Sequence, residues 1–139
     1  MLAGRAAVLC GALLAVLVPA APAAPLAAPQ WVGGAYGLPD GEQVSVFVSA
    51  RYPEPDALAQ KWVSFFAALP HGRELSLVRA YVAPLDEVEE MCANPDVLGC
   101  YGGDELVTLG ESAPGLPSAT SVAAHEYGHH IAAHRNNAP

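Results

Sequence analysis

Four of the five histidines fall within ten consecutive positions, in the string AAHEYGHHIAAHR. His125 and His129 are four apart, so on a helix of 3.6 residues per turn they project from one face, offset by about 40°. Two imidazoles so placed can bind one tetrahedral Zn2+, with Zn–N distances of about 2.0–2.1 Å. Glu126 follows the first of them, turned about 100° around the axis. From there its carboxylate can reach a metal-bound water without entering the coordination shell. This is the H-E-x-x-H arrangement, in which the metal acidifies the water and polarises a carbonyl while the Glu acts as general base.

The same spacing sorts the neighbouring residues. His130 and His134 lie about 100° and 180° around the axis from His129 and His125 respectively, off the ligand face of a regular helix. Tyr127 points nearly opposite His125 and is expected to pack against the body of the domain. Gly128 weakens an exposed helix by about 1 kcal/mol, so its expected use is to let another backbone come close. His71, beside Gly72 in a turn, reads as a plain surface residue. The competing reading of the whole string is an ordinary His-rich surface helix. The motif's place at the centre of an expected helix, after a short strand, argues for the metal.

Such a helix needs a platform. Ser118 is a good N-cap for it, and Asn136 and Asn137 close it after about His134. Before it, residues 110–117 (GESAPGLP) read as a loop and Glu105–Leu109 (ELVTL) as a short strand. Val44–Ser49 alternates and is rich in β-branched residues, which predicts a strand from Gln43 with its valines on one face, stopped by Pro53 and Pro55. From Asp56, read as an N-cap, Leu58, Trp62, Phe65, Phe66 and Leu69 recur at helical spacing as far as Pro70, an aromatic stripe for the core.

Leu75–Val82 reads as the next strand, and Pro84–Met91 as a short acidic helix with Pro in its first turn. Its Asp86, Glu87, Glu89 and Glu90 read as a solvated face, with calcium binding the weaker alternative. A strand, a helix and a strand in that order make a parallel crossover. Residues 25–42, rich in Pro, Gly and Ala, read as a spacer. The expected fold class is α+β: a small mixed sheet of about three strands, a packing helix and the HExxH helix, all within 43–139.

The 139 residues are 53% hydrophobic and 14% charged, enough for one domain with a core. Six basic against 14 acidic residues give a formal charge of −8 with no basic run, which argues against nucleic acid as a partner. Residues 1–24 read as a secretory signal peptide. Arg5 gives a positive start, Ala6–Val18 carries no charged or strongly polar side chain, and PAAPAA follows. That run is short of the roughly 20 residues that span a bilayer, so no stable membrane insertion is expected after processing. Of the three cysteines Cys10 leaves with the signal, and the remaining pair, Cys92 and Cys100, implies a disulfide in an exported chain. Closing so short a loop contributes about 2.5 kcal/mol on the chain-entropy picture.

On these residues the chain resembles the zincin metallopeptidases. The order strand, helix, strand, edge strand, HExxH helix is similar to their amino-terminal subdomain. The string from GCY through HEYGHHIAAHRNNAP resembles a group of exported actinobacterial proteins of metallopeptidase type. The likeness is specific over 98–138 and architectural before that. It implies a secreted zinc endopeptidase acting on a protein or peptide substrate, with His125 and His129 as ligands and Glu126 as base. It also implies that Leu106, Val107 and Thr108 form the edge strand that pairs with substrate. The metzincin pattern fails, because Ala132 and Arg135 stand where its Gly and third His belong. Gluzincins draw a third ligand from a Glu on a later helix, so the expectation is that the third ligand and a carboxy-terminal subdomain lie outside these residues. Two alternatives stay open: a deformylase-like hydrolase with Cys100 as third ligand, and a catalytically silent exported binding module of the same fold.

Overall fold

The chain enters the sheet earlier than its composition suggests. A computed structural model describes residues 30–135. In it β1 (Trp31–Gly37) pairs antiparallel with β2 (Gln43–Ser49), from Trp31 opposite Ser49 to Gly37 opposite Gln43. The expected spacer is thus a strand over these seven residues, and the fold begins before Gln43. Its glycines are used: Gly33 has φ +120°, and a Cβ there would stand 2.2 Å from the Val46 carbonyl oxygen. The turn back is Leu38–Glu42, closed by Leu38 N–H donating to the Glu42 carbonyl at 2.8 Å. The signal peptide expected at 1–24 and the helix stop at Asn136 and Asn137 lie outside the described residues.

Helix α1 (Pro55–Ala68) follows, with Pro55 as its first residue; the N-cap is Glu54, without a side-chain cap bond, and Asp56 sits in the first turn. Leu58, Ala59, Trp62 and Phe66 are its buried face. A 3-10 turn over Arg73–Ser76 then replaces the first half of the expected second strand, and β3 is Arg79–Ala83. The cause is local and tertiary at once. Glu74 accepts from Gly72 N–H at 2.8 Å and is held by the last helix, which bends this stretch out of strand geometry.

Helix α2 (Leu85–Met91) has Pro84 at its N-cap, and β4 (Gly99–Gly102) and β5 (Glu105–Leu109) form a hairpin. Helix α3 (Ala119–Arg135) closes the described chain, capped as expected by Ser118 Oγ accepting from Ser121 N–H at 3.1 Å. The acidic face of α2 is not wholly solvated: Glu87 is buried, and Arg51 bridges it and Asp86.

The sheet runs β1-β2-β3-β5-β4, five strands rather than about three. The expected parallel pairing of β2 with β3 is present, β3 is also parallel to β5, and the outer pairs are antiparallel. The α+β class with a mixed sheet holds. Val44, Val46, Val48, Ala80, Val82, Leu106 and Thr108 are fully buried on one face. Helices α1 and α3 meet over that face, where Phe66 and Tyr127 pack edge to face at 6.1 Å. On the other face Phe47 stacks on Tyr81, with Trp31 edge-on to the same ring. No helix among the described residues is long and apolar enough to cross a membrane.

Candidate functional site

The platform beneath α3 is β5 and β4. Thr108 Oγ1 donates to the Ala119 carbonyl at 3.4 Å, and the Ala119 N–H donates to Ser112 Oγ at 2.9 Å, so the loop and first turn are tied together. Gly99 lets β4 approach: a Cβ there would stand 2.7 Å from Val122 Cγ1 and from the Val107 carbonyl oxygen. The close approach expected of Gly128 is made at Gly99 instead, because Gly128 is exposed with nothing against it.

His125 and His129 stand side by side on the exposed face of α3, their Nε2 atoms 3.2 Å apart and their rings nearly perpendicular at 87°. Two nitrogens each about 2.05 Å from a tetrahedral zinc lie roughly 3.3 Å apart. The pair therefore has the spacing that one ion needs, and its donors are of the right kind. Glu126 is buried and, together with His125, lines a cleft of about 360 Å³ whose other walls are Val97, Leu98, Gly99, Pro117, Ser121 and Val122. The cleft walls are mostly aliphatic, and Glu126 is the acidic residue among them.

Leu106, Val107 and Thr108 do not line this cleft as an edge. Strand β5 is paired on both sides, by β3 and β4, and all three residues are buried. The edge beside the helix is β4, Gly99–Gly102. The sequence reading put the edge one strand too late because four residues with two glycines carry no strand pattern. Cys100 lies in β4 and is bonded to Cys92, as the cysteine count implied. Its sulfur is therefore not a free thiolate, which removes the ligand that the deformylase-like alternative needs.

The rotation of α3 is fixed from its buried side. Tyr127 is buried and its hydroxyl donates to Glu74 Oε1 at 3.2 Å, and Arg135 pairs with the same oxygen. Burial pushes the Glu74 carboxyl up, but Arg135 and the Gly72 N–H outweigh it and hold it at about 2. Burial and then the Glu74 charge push the Tyr127 phenol well up, so it stays a donor.

His130, expected off the ligand face, is wholly buried. Its Nε2 donates to the Glu74 carbonyl at 2.7 Å and its Nδ1 lies 3.1 Å from the Tyr101 hydroxyl. Burial lowers its pKa, which keeps it neutral. His134 Nε2 is 2.5 Å from Asp104 Oδ1. Asp104, His130 and His134 thus form a group that could hold a metal ion. Asp104 was not legible as a site residue; the available signal was the pair Gly102-Gly103 before it, a hairpin turn at the foot of α3. His71 is not a plain surface residue either, since its side chain is 8% exposed and faces Asp40 at 3.5 Å.

No family model matches the chain, and neither a curated protein nor a solved structure does.

Proposed function

We propose that the protein is an exported zinc-dependent endopeptidase with a zincin-like active-site helix. The observation that carries this reading is the 3.2 Å separation of His125 and His129 Nε2, with Glu126 buried beside them at the wall of an apolar cleft. His125 and His129 would hold the zinc; among the described residues no third ligand joins them. A zinc ion held there supplies Lewis acidity, which polarises a scissile carbonyl and acidifies the attacking water.

The chain's own residues do the rest. The Glu126 carboxylate takes the proton from the water as it attacks the carbonyl carbon, then returns it to the amide nitrogen as the C–N bond breaks. The aliphatic walls at Val97, Leu98 and Val122 exclude water from one side and receive an apolar side chain of the substrate. The edge of β4 that no described strand pairs would offer backbone groups to an extended peptide, the role the resemblance assigned to β5. Export is supported by the signal-like residues 1–24 and by the Cys92–Cys100 disulfide, which persists in an oxidising compartment.

The deciding experiment is Glu126→Gln in the full-length protein. Zinc content should be unchanged while casein or peptide hydrolysis falls by at least about 10²-fold, the low end for removing a general base. Full hydrolysis by the Gln variant overturns the reading. A wild-type protein that binds zinc at His125 and His129 yet cleaves nothing leaves the silent binding module in its place.

A further inference from the structure

The face of α3 turned toward the β4–β5 hairpin carries a second set of ligand atoms that the HExxH chemistry does not use. His130 and His134 repeat the four-residue spacing of His125 and His129, displaced around the axis. Asp104 meets them from the hairpin turn, where Gly103 and Asp104 have φ 57° and 66°. Asp is among the few residues that adopt this left-handed region readily, and the turn it makes fixes its carboxylate against the last two turns of the helix. Asp104 Oδ1 lies 2.5 Å from His134 Nε2 and 3.6 Å from His130 Nδ1, and the three ligand atoms fall within 4.8 Å of one another.

The hydrogen bonds around the group select its ligand atoms. The Glu74 carbonyl can only accept, so His130 Nε2 carries a hydrogen and Nδ1 is left with its lone pair toward Asp104. A backbone carbonyl holding the far nitrogen of an imidazole is the usual support of a metal-ligating histidine. The Tyr101 hydroxyl has one hydrogen and two acceptors in reach, His130 Nδ1 at 3.1 Å and Asp104 Oδ1 at 3.3 Å. With Tyr101 donating to His130 Nδ1 and His134 Nε2 donating to Asp104 Oδ1, every member of the group is paired without a metal, and a cation would take the place of these hydrogens among the three ligand atoms. Two imidazoles and one carboxylate suit a first-row transition ion such as Zn2+ better than Ca2+ or Mg2+, which take oxygen ligands. Asp104 and His134 are 37% and 27% exposed, which leaves an approach for the ion and for a water as fourth ligand.

We infer that Asp104, His130 and His134 form a second zinc site, separate from His125 and His129, that fastens the β4–β5 turn to the end of α3. Zinc replaces the His134–Asp104 hydrogen bond, and the two atoms spread by about 1 Å to reach tetrahedral spacing. The hairpin that sets the position of β4 beside the cleft is then held by a metal as well as by the sheet.

The test counts zinc on the full-length protein by isothermal titration with zinc chloride and by elemental analysis after gel filtration. The unsubstituted chain should take two equivalents. His125→Ala/His129→Ala should keep one, and zinc should raise its melting temperature, because an ion that binds only the folded state stabilises it. Asp104→Asn/His134→Ala should also keep one, and the quadruple variant none, with no zinc-dependent melting shift. Far-UV circular dichroism establishes that each variant is folded, and the comparison of the unsubstituted chain with Asp104→Asn/His134→Ala stands by itself if the others do not fold. Equal zinc on those two proteins overturns the second site and leaves the endopeptidase reading untouched. Loss of zinc from Asp104→Asn/His134→Ala with none lost from His125→Ala/His129→Ala strikes at the endopeptidase reading and leaves this one standing.

Discussion

Tyr127, set between His125 and His129 in sequence, donates its hydroxyl to Glu74 Oε1 across 53 residues of chain. The bond runs from the buried side of α3 to the 3-10 turn before β3. It fixes which residues of the helix face the cleft, because the helix cannot turn about its axis without breaking it.

Replacing Glu74 by Gln should therefore cost roughly 2–3 kcal/mol, the scale for losing a hydrogen bond to a charged partner, read from urea denaturation. The effect should depend on pH in one direction. With the folded carboxyl at about 2 against 4.5 for the free group, its contribution is complete above about 4.5 and is lost as the pH falls toward 2. The stability gap between wild type and Glu74→Gln should narrow across that window. A gap that stays constant from neutral pH down to 2 would show that the charge on Glu74 is not what holds the helix.

Changing either His125 or His129 to Ala should remove one equivalent of zinc and the hydrolytic activity together. Both rings are exposed and neither fills the core, so thermal unfolding of the metal-free proteins should be nearly unchanged. Activity that survives without that zinc would sink the assignment of the pair.

The helix that carries the motif was legible because its signals are local. The four-residue spacing, the Ser118 cap, the valine alternation of β2 and the buried place of Tyr127 all follow from periodicity. What escaped depends on distant partners. Strand β1 is hidden by glycines whose reason lies in the Val46 carbonyl across the ladder. Glu74 draws Arg73–Ser76 into a turn only because Tyr127 and Arg135 meet it there. β4 is too short and glycine-rich to read as a strand until β5 pairs with it, and so the cleft edge was placed on a strand that is paired on both sides. His130 is expected off the face that carries His125 and His129, and the structure buries it on another side of the helix, but nothing local placed Asp104 beside it.

The Cys92–Cys100 bond should appear in the exported protein as a peptide pair two hydrogens lighter than its reduced form. Reduction, or Cys92→Ser, should lower stability by about 2.5 kcal/mol on the loop-closure picture. It should also weaken peptide binding, because Val97 and Leu98 within that loop wall the cleft. Two freely alkylated thiols in the exported protein would overturn the assignment.

Gly99→Ala tests the approach of β4 to the helix. Its methyl group would meet Val122 and the Val107 carbonyl at 2.7 Å, and overpacking of this kind typically costs about 1–3 kcal/mol. The expected signature is a lowered melting temperature with a raised KM, since Gly99 also borders the cleft. A variant as stable as the wild type would show that the strand and helix have room to part.

The three bonds that seat α3 on the 3-10 turn, from Tyr127, His130 and Arg135, span 53, 56 and 61 residues. Contacts of such long range form late, since the chain between them must already be ordered before they repay the closure entropy. Helix α3 is also the last described element to be synthesised. The histidine pair can therefore form as a local helix early, yet it meets its cleft only in the final docking step. A ligand that binds the docked helix slows its detachment more than it speeds its arrival. Amide exchange in α3 should be the first to quicken on metal removal, well before that of the valine strand β2, which is paired on both sides within the sheet.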